Sequence, residues 1–104
     1  MESTLADRLW RGPQGQRVKA ACFERDRAAD APCRWCGNPI DYRLGPYRRG
    51  GDVWAWSPEH IRPRDRWPEL VLDPANIAAA HFHCNAARQD RAGLAAMGVR
   101  SRRW

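Results

Sequence analysis

The chain has 104 residues, a formal charge of +6 and a pI of about 9.9. That length holds one domain with a thin core, and no apolar run approaches the roughly 20 residues of a membrane span. The basic balance favours a polyanionic partner, nucleic acid first, although an arginine excess (Lys19 is the single lysine among 18 basic residues) is also what a GC-rich genome produces.

In chain order, residues 1–13 read as a loose lead-in that closes at Gly12-Pro13. Residues 14–27 predict a helix, because Val18, Ala21, Cys22 and Arg25 recur at helical spacing, and Asp30-Ala31-Pro32 ends it. Residues 33–37, Cys-Arg-Trp-Cys-Gly, form a tight turn with paired thiols. Residues 38–51 are irregular and basic, broken at Gly50-Gly51. Residues 52–57 alternate and predict a strand running into Glu59-His60-Ile61, with Trp54 and Trp56 on one core-facing side and Pro58 at an edge or bulge. Three prolines make residues 62–74 a loop, and 76–80 a short return strand or turn. Residues 84–97 read as a helix stopped by Gly98. The domain therefore spans 14–98, followed by a basic tail at 99–104.

Eight glycines, eight prolines and a mean hydropathy of −0.76 leave little core, and such a scaffold needs a staple. No apolar segment of secretory type follows Met1, so the expected compartment is a reducing cytoplasm, where Cys-x-x-Cys points to metal or redox chemistry before a disulfide. Cys33-x-x-Cys36 and His81-x-x-Cys84 are two ligand pairs whose gaps let both members converge on one ion. Four such ligands in a closed tetrahedron make a structural zinc site, and the expected set is Cys33, Cys36, His81 and Cys84. A thioredoxin-like redox pair is the alternative, but no βαβ pattern surrounds it. Cys22 falls on the apolar face of the first helix and reads as a core thiol.

Between the ligand pairs lie Glu59-His60-Ile61 and Asn76-Ile77, and the second pair runs into Asn85. A Cys-x-x-Cys knuckle, an acid-His-Ile strand end, an Asn-aliphatic step and a second ligand pair followed by His or Asn, in this order over residues 17–92, resemble the HNH nuclease family. The resemblance implies an α+β fold: a small ββα-metal (His-Me finger) core with an N-terminal helix and a zinc knuckle. It implies a DNA endonuclease that leaves 5′-phosphate and 3′-hydroxyl ends. His60 is then the general base, and Asn76 orients it by bonding backbone nearby. Glu59 and Asn85 hold one catalytic divalent cation at the scissile phosphate. Family members usually carry His at the position of Asn85 and Asp at that of Glu59. The amide and carboxylate pair found here is oxygen-rich and suits Mg²⁺ or Mn²⁺. Small stand-alone members occur in phages and mobile elements, which adds a phage terminase subunit as an implied partner and the host cytoplasm as the implied place.

Arg62, Arg64 and Arg66 follow the expected base, and Arg43, Arg48 and Arg49 precede the strand, so both groups are candidates to hold phosphate without reading sequence. Arg88 and Arg91 share a helix face suited to DNA. His83 is expected to be exposed and free to touch DNA rather than to bind zinc. The rival from another class is a zinc-stabilised DNA-binding module that does not cut, which needs the four ligands and the arginines but not Glu59, His60, Asn76 and Asn85 together. A bacteriocin-like toxin has no secretion or receptor segment to support it.

Overall fold

Thr4 starts a helix where a loose lead-in was expected. The computed structural model describes residues 4–88, and helix α1 occupies Leu5–Arg11 within them. The Thr4 hydroxyl accepts from the Asp7 amide at 3.0 Å and the Asp7 carboxylate accepts from the Thr4 amide at 3.4 Å, a reciprocal cap. Seven residues are too few to hold a helix alone. Burial of Ala6 and Trp10 against the rest of the molecule supplies what local propensity does not, so these residues belong to the domain rather than ahead of it. The single residue Gly12 ends α1 and starts α2, Pro13–Ala29, whose first position is a proline with no amide hydrogen to leave unpaired. The two helices touch at Gly15, where any side chain would collide with the Trp10 carbonyl.

Strands β1, Trp56–His60, and β2, Ile77–His81, pair antiparallel with Trp56 opposite His81 and His60 opposite Ile77. The strand starts later than its alternation predicts. Asp52 draws the chain into a turn by accepting from the Trp54 amide through its carboxylate (2.9 Å) and from the Ala55 amide through its carbonyl (3.1 Å). Trp54 is consequently 49% exposed while Trp56 is 1% exposed, so the two tryptophans do not share a core face. The loop between the strands carries two single 3₁₀ turns, Pro68–Leu70 and Pro74–Asn76. Helix α3 follows β2 directly and is described over 82–88; its expected continuation to 97, Arg91 and the tail 99–104 lie outside the described residues. The result is a small α+β domain, and no described helix is long and apolar enough to cross a membrane.

The core forms where α2 crosses the sheet. Phe23 meets the Trp56 ring edge-on at 5.3 Å, and Cys22, Ile40, Val71, Ile77 and Ala80 fill in around them, which places Cys22 inside as expected. One polar group is built into this core. Buried Asp26 accepts from the Trp56 indole at 3.0 Å and from the Arg25 guanidinium at 2.9 Å. Arg25 in turn donates to the carbonyls of Pro74 (2.9 Å) and Ile77 (2.7 Å). One carboxylate therefore ties α2 to β1 and, through arginine, to the entry of β2. Asp26→Ala should lower stability by about 2–3 kcal/mol, because it leaves a buried indole N–H unpaired and frees the arginine. The measurement is a urea unfolding curve, with the midpoint falling and the slope unchanged. Trp56→Phe, which leaves Asp26 its arginine, should keep Arg25 on its two carbonyls.

Candidate metal centre and adjoining cleft

Cys33 and Cys36 sit on the turn after α2. That turn is closed by the Gly37 amide donating to the Cys33 carbonyl at 2.9 Å, and Gly37 has a φ of 76°, which favours glycine. The turn is held against the sheet by the Arg34 amide donating to the Ala79 carbonyl, also at 2.9 Å. His81 ends β2 and Cys84 lies in the first turn of α3. The four ligand atoms all lie within 4.8 Å of one another. His81 Nδ1 is 3.4 Å from Cys36 Sγ and 3.8 Å from Cys84 Sγ, close to the ~3.6 Å edge of a zinc tetrahedron with sulfur and nitrogen ligands. His81 Nε2 lies 3.1 Å from the Pro39 carbonyl, which can only accept, so the ring proton is on Nε2 and Nδ1 presents its lone pair to the cluster.

Charge in the cluster is arranged for a cation. Burial opposes ionisation of Cys33, but backbone N–H groups of Cys36, His81 and Trp35 outweigh it and bring the thiol down to about 7. Burial and the neighbouring sulfurs push Cys84 up to about 12. Three thiolates in such a space repel one another unless a dication sits among them. The Cys₃His group can therefore hold a structural metal such as zinc. His83 is exposed and lies against Trp54, with ring centres 4.5 Å apart and planes tilted by 36°, outside the cluster, in keeping with His81 as the ligand.

A cleft of about 440 Å³ opens where the end of β1, α1 and α3 meet, and Glu59, His60 and Asn85 all line it. His60 Nε2 is 3.0 Å from the Val71 carbonyl, so this nitrogen carries the proton and Nδ1 is left as a base. Trp10 packs edge-on against the ring at 4.4 Å. Burial lowers the pKa of His60 against the opposing Val71 bond, and the charges of Arg64 and Lys19 add to the lowering, so the ring is neutral near pH 7. Asn76 holds the chain just after His60 from both sides. Its side-chain oxygen accepts from the Arg62 amide (2.9 Å), its NH₂ donates to the Arg62 carbonyl (3.2 Å), and its own carbonyl accepts from the Ile61 amide (2.8 Å).

Among the described residues, two buried oxygens of the cleft accept no hydrogen bond. Glu59 is 3% exposed, and its Oε2 accepts no hydrogen bond but forms a long ion pair with Arg88 at 3.9 Å. Burial pushes the Glu59 carboxyl up, while the charges of Arg88 and Arg34 and the indole of Trp35 oppose the rise. Asn85 spends its NH₂ on the Pro58 carbonyl (3.2 Å) and the Ser57 hydroxyl (3.4 Å), and its buried Oδ1 accepts no hydrogen bond among the described residues.

The arginines divide. Arg62 lies over the Trp67 ring at 5.1 Å and Arg66 is exposed, both on the loop after His60. Arg64 lines the cleft but is bonded to Asp7 at 2.9 Å, and Arg88 lies between Glu59 and the Trp35 ring, 5.1 Å from the latter. Arg43 is paired with Asp41, whereas Arg48 and Arg49 are exposed. Asp7, Trp10, Lys19 and Trp35 were not anticipated as parts of the site. The Thr4-x-x-Asp7 spacing is a capping pattern that would have revealed α1; nothing local marks Lys19 or Trp35. No protein-family model, curated protein or solved structure matches the chain.

Purified protein should carry one zinc per chain by elemental analysis. Cys36→Ser should lose it, and with it the thermal unfolding transition followed by circular dichroism, because metal binding and folding are one equilibrium in a domain this small.

Proposed function

We propose that the protein is a metal-dependent DNA endonuclease of the HNH class, with β1, β2 and α3 forming a ββα-metal core and zinc in the Cys₃His cluster. The observation that carries this reading is the pair of buried oxygens on Glu59 and Asn85 that accept no hydrogen bond among the described residues, lining the same cleft as a neutral histidine whose Nε2 carries the ring proton. Leaving such oxygens unsatisfied costs about 1–3 kcal/mol each, which a hard cation removes. Carboxylate and amide oxygen are the donor set that Mg²⁺ or Mn²⁺ takes, so the residues present fit the group. A divalent cation held there would supply charge neutralisation at the scissile phosphate and at the departing 3′ oxygen.

The chain's own residues do the rest. His60 Nδ1 takes a proton from the attacking water, and the Val71 carbonyl keeps the other ring nitrogen protonated so that only Nδ1 is available. Asn76 fixes the backbone that follows, and Trp10 limits rotation of the ring. Water adds to phosphorus, and the 3′ oxygen leaves and takes a proton from solvent water, giving 5′-phosphate and 3′-hydroxyl ends. Arg62 and Arg66 are placed to hold flanking phosphates. Arg64 is not free to do so while Asp7 holds it.

Single-turnover cleavage of a DNA duplex, against Mg²⁺ or Mn²⁺ concentration, tests the reading. His60→Ala should lose about 10²- to 10⁴-fold in rate with zinc content intact. Asn85→Ala should instead raise the metal concentration needed for half-maximal rate, and added metal should partly rescue it. Wild-type protein that binds DNA and never cuts it would make the zinc-stabilised binding module the correct description.

The Asp7–Arg64 pair gives a separate expectation. Asp7→Asn keeps a capping side chain and releases the guanidinium. DNA affinity should rise, and the log–log salt slope measured by fluorescence anisotropy should steepen by about one phosphate contact.

A further inference from the structure

A second groove of about 540 Å³ runs on from the cleft and shares Trp10, Pro58, Arg64 and Asn85 with it. Its far walls come from α2, which contributes Gln16 and Lys19, and from Tyr47, Arg48 and Phe82. The catalytic scheme uses the shared wall but none of these far-wall residues. Two features describe what the groove would take.

The first is charge. Lys19 lies half-buried with its ammonium 4.4 Å from the centre of the Trp10 ring. Among the described residues no carboxylate pairs with Lys19 or with Arg48. Burial and the charge of Arg64 lower the pKa of Lys19, so an anion arriving in the groove would relieve a cost already present in the free protein. The second is an aromatic wall. Tyr47 and Phe82 both line the groove and stack face to face, with centroids 3.7 Å apart and planes 5° from parallel, so each ring covers one face of the other and only its opposite face is left for a ligand. Flat rings beside unpaired cations are what a nucleotide needs, one for the base and the other for the phosphate.

The size decides how the nucleotide arrives. The groove has the volume of a small-ligand pocket, in the range of roughly 300–1,000 Å³, and is far too small for a duplex. A paired base also has both faces covered by its neighbours, so its plane is not available to a protein ring. We infer that the Lys19–Arg48–Tyr47–Phe82 groove binds one unpaired nucleotide next to the scissile phosphate, so that the preferred substrate is DNA with a locally unpaired strand rather than a continuous duplex. The inference rests on the reading of the cleft as a DNA site.

The experiment measures binding, so it does not depend on cleavage. Fluorescein-labelled duplexes of equal length, one fully paired and one with a few unpaired nucleotides at its centre, are titrated with zinc-loaded protein by anisotropy without added Mg²⁺ or Mn²⁺. Wild-type protein should bind the interrupted DNA about tenfold tighter or more. Tyr47→Ala should remove most of that preference and leave affinity for the paired duplex within about twofold, and Lys19→Gln should weaken binding to the interrupted DNA more than to the paired one. The exposed Arg48→Gln, a change with no packing consequence, should reduce the preference part-way. Equal wild-type affinity for the two DNAs overturns the groove assignment and leaves the nuclease reading standing, as does an equal loss on both DNAs in all three variants. No binding to either DNA overturns both.

Discussion

Residues 37–80 hold the candidate base, the asparagine behind it, all of β1 and all of β2 but His81, yet they contain little that could stay folded unaided. A two-stranded sheet is marginal in water, and the loop between its strands has only single 3₁₀ turns. What fixes the segment is its closure at both ends. Cys33 and Cys36 lie before it, His81 and Cys84 after it, and their ligand atoms meet within 4.8 Å. The Asp26 carboxylate adds a second tie from the helical side, through the Trp56 indole and Arg25. With the ends clamped, the loop after His60 needs only local pins, and Asn76 supplies three of them.

This arrangement separates the sulfur cluster from the oxygen-lined cleft. Sulfur and imidazole ligands gather on one side, where a soft-to-borderline metal is suited and no donor is left over. Carboxylate and amide oxygens gather on the other, beside a base, with bonding capacity unspent. The two places therefore differ in donor type, and sulfur with imidazole and carboxylate with amide oxygen suit different classes of ion.

The parts legible in the sequence are those set by short covalent spacing. Two ligand pairs with two-residue gaps, and an acid-histidine step followed by asparagines, identify themselves without knowledge of the fold. Most of the strand–loop–strand–helix order followed from alternation and proline content. The misread parts depend on burial or on distant partners. Alternation over Val53–Trp56 has the look of a strand, but the Asp52 turn competes locally and wins, which turns Trp54 outward. Helix α1 is too short to show a period and exists because Trp10 is covered. Arg64 reads as a free cation because its carboxylate partner is 57 residues away. Arg88 likewise stands near Glu59, on a different element.

Cys84 and Asn85 are neighbours on the first turn of α3, one in the sulfur cluster and the other in the cleft. Successive residues of a helix project about 100° apart, so a single turn can serve two sides at once. Tethering the sulfur of Cys84 sets the rotational phase of the whole helix about its axis. The azimuth of the Asn85 amide is then determined, as is that of Arg88 three residues on. A rotation large enough to carry Asn85 away from the Pro58 carbonyl would also pull Cys84 from its three companions. The cluster thus acts as an angular reference for the cleft, and the helix transmits alignment from one to the other.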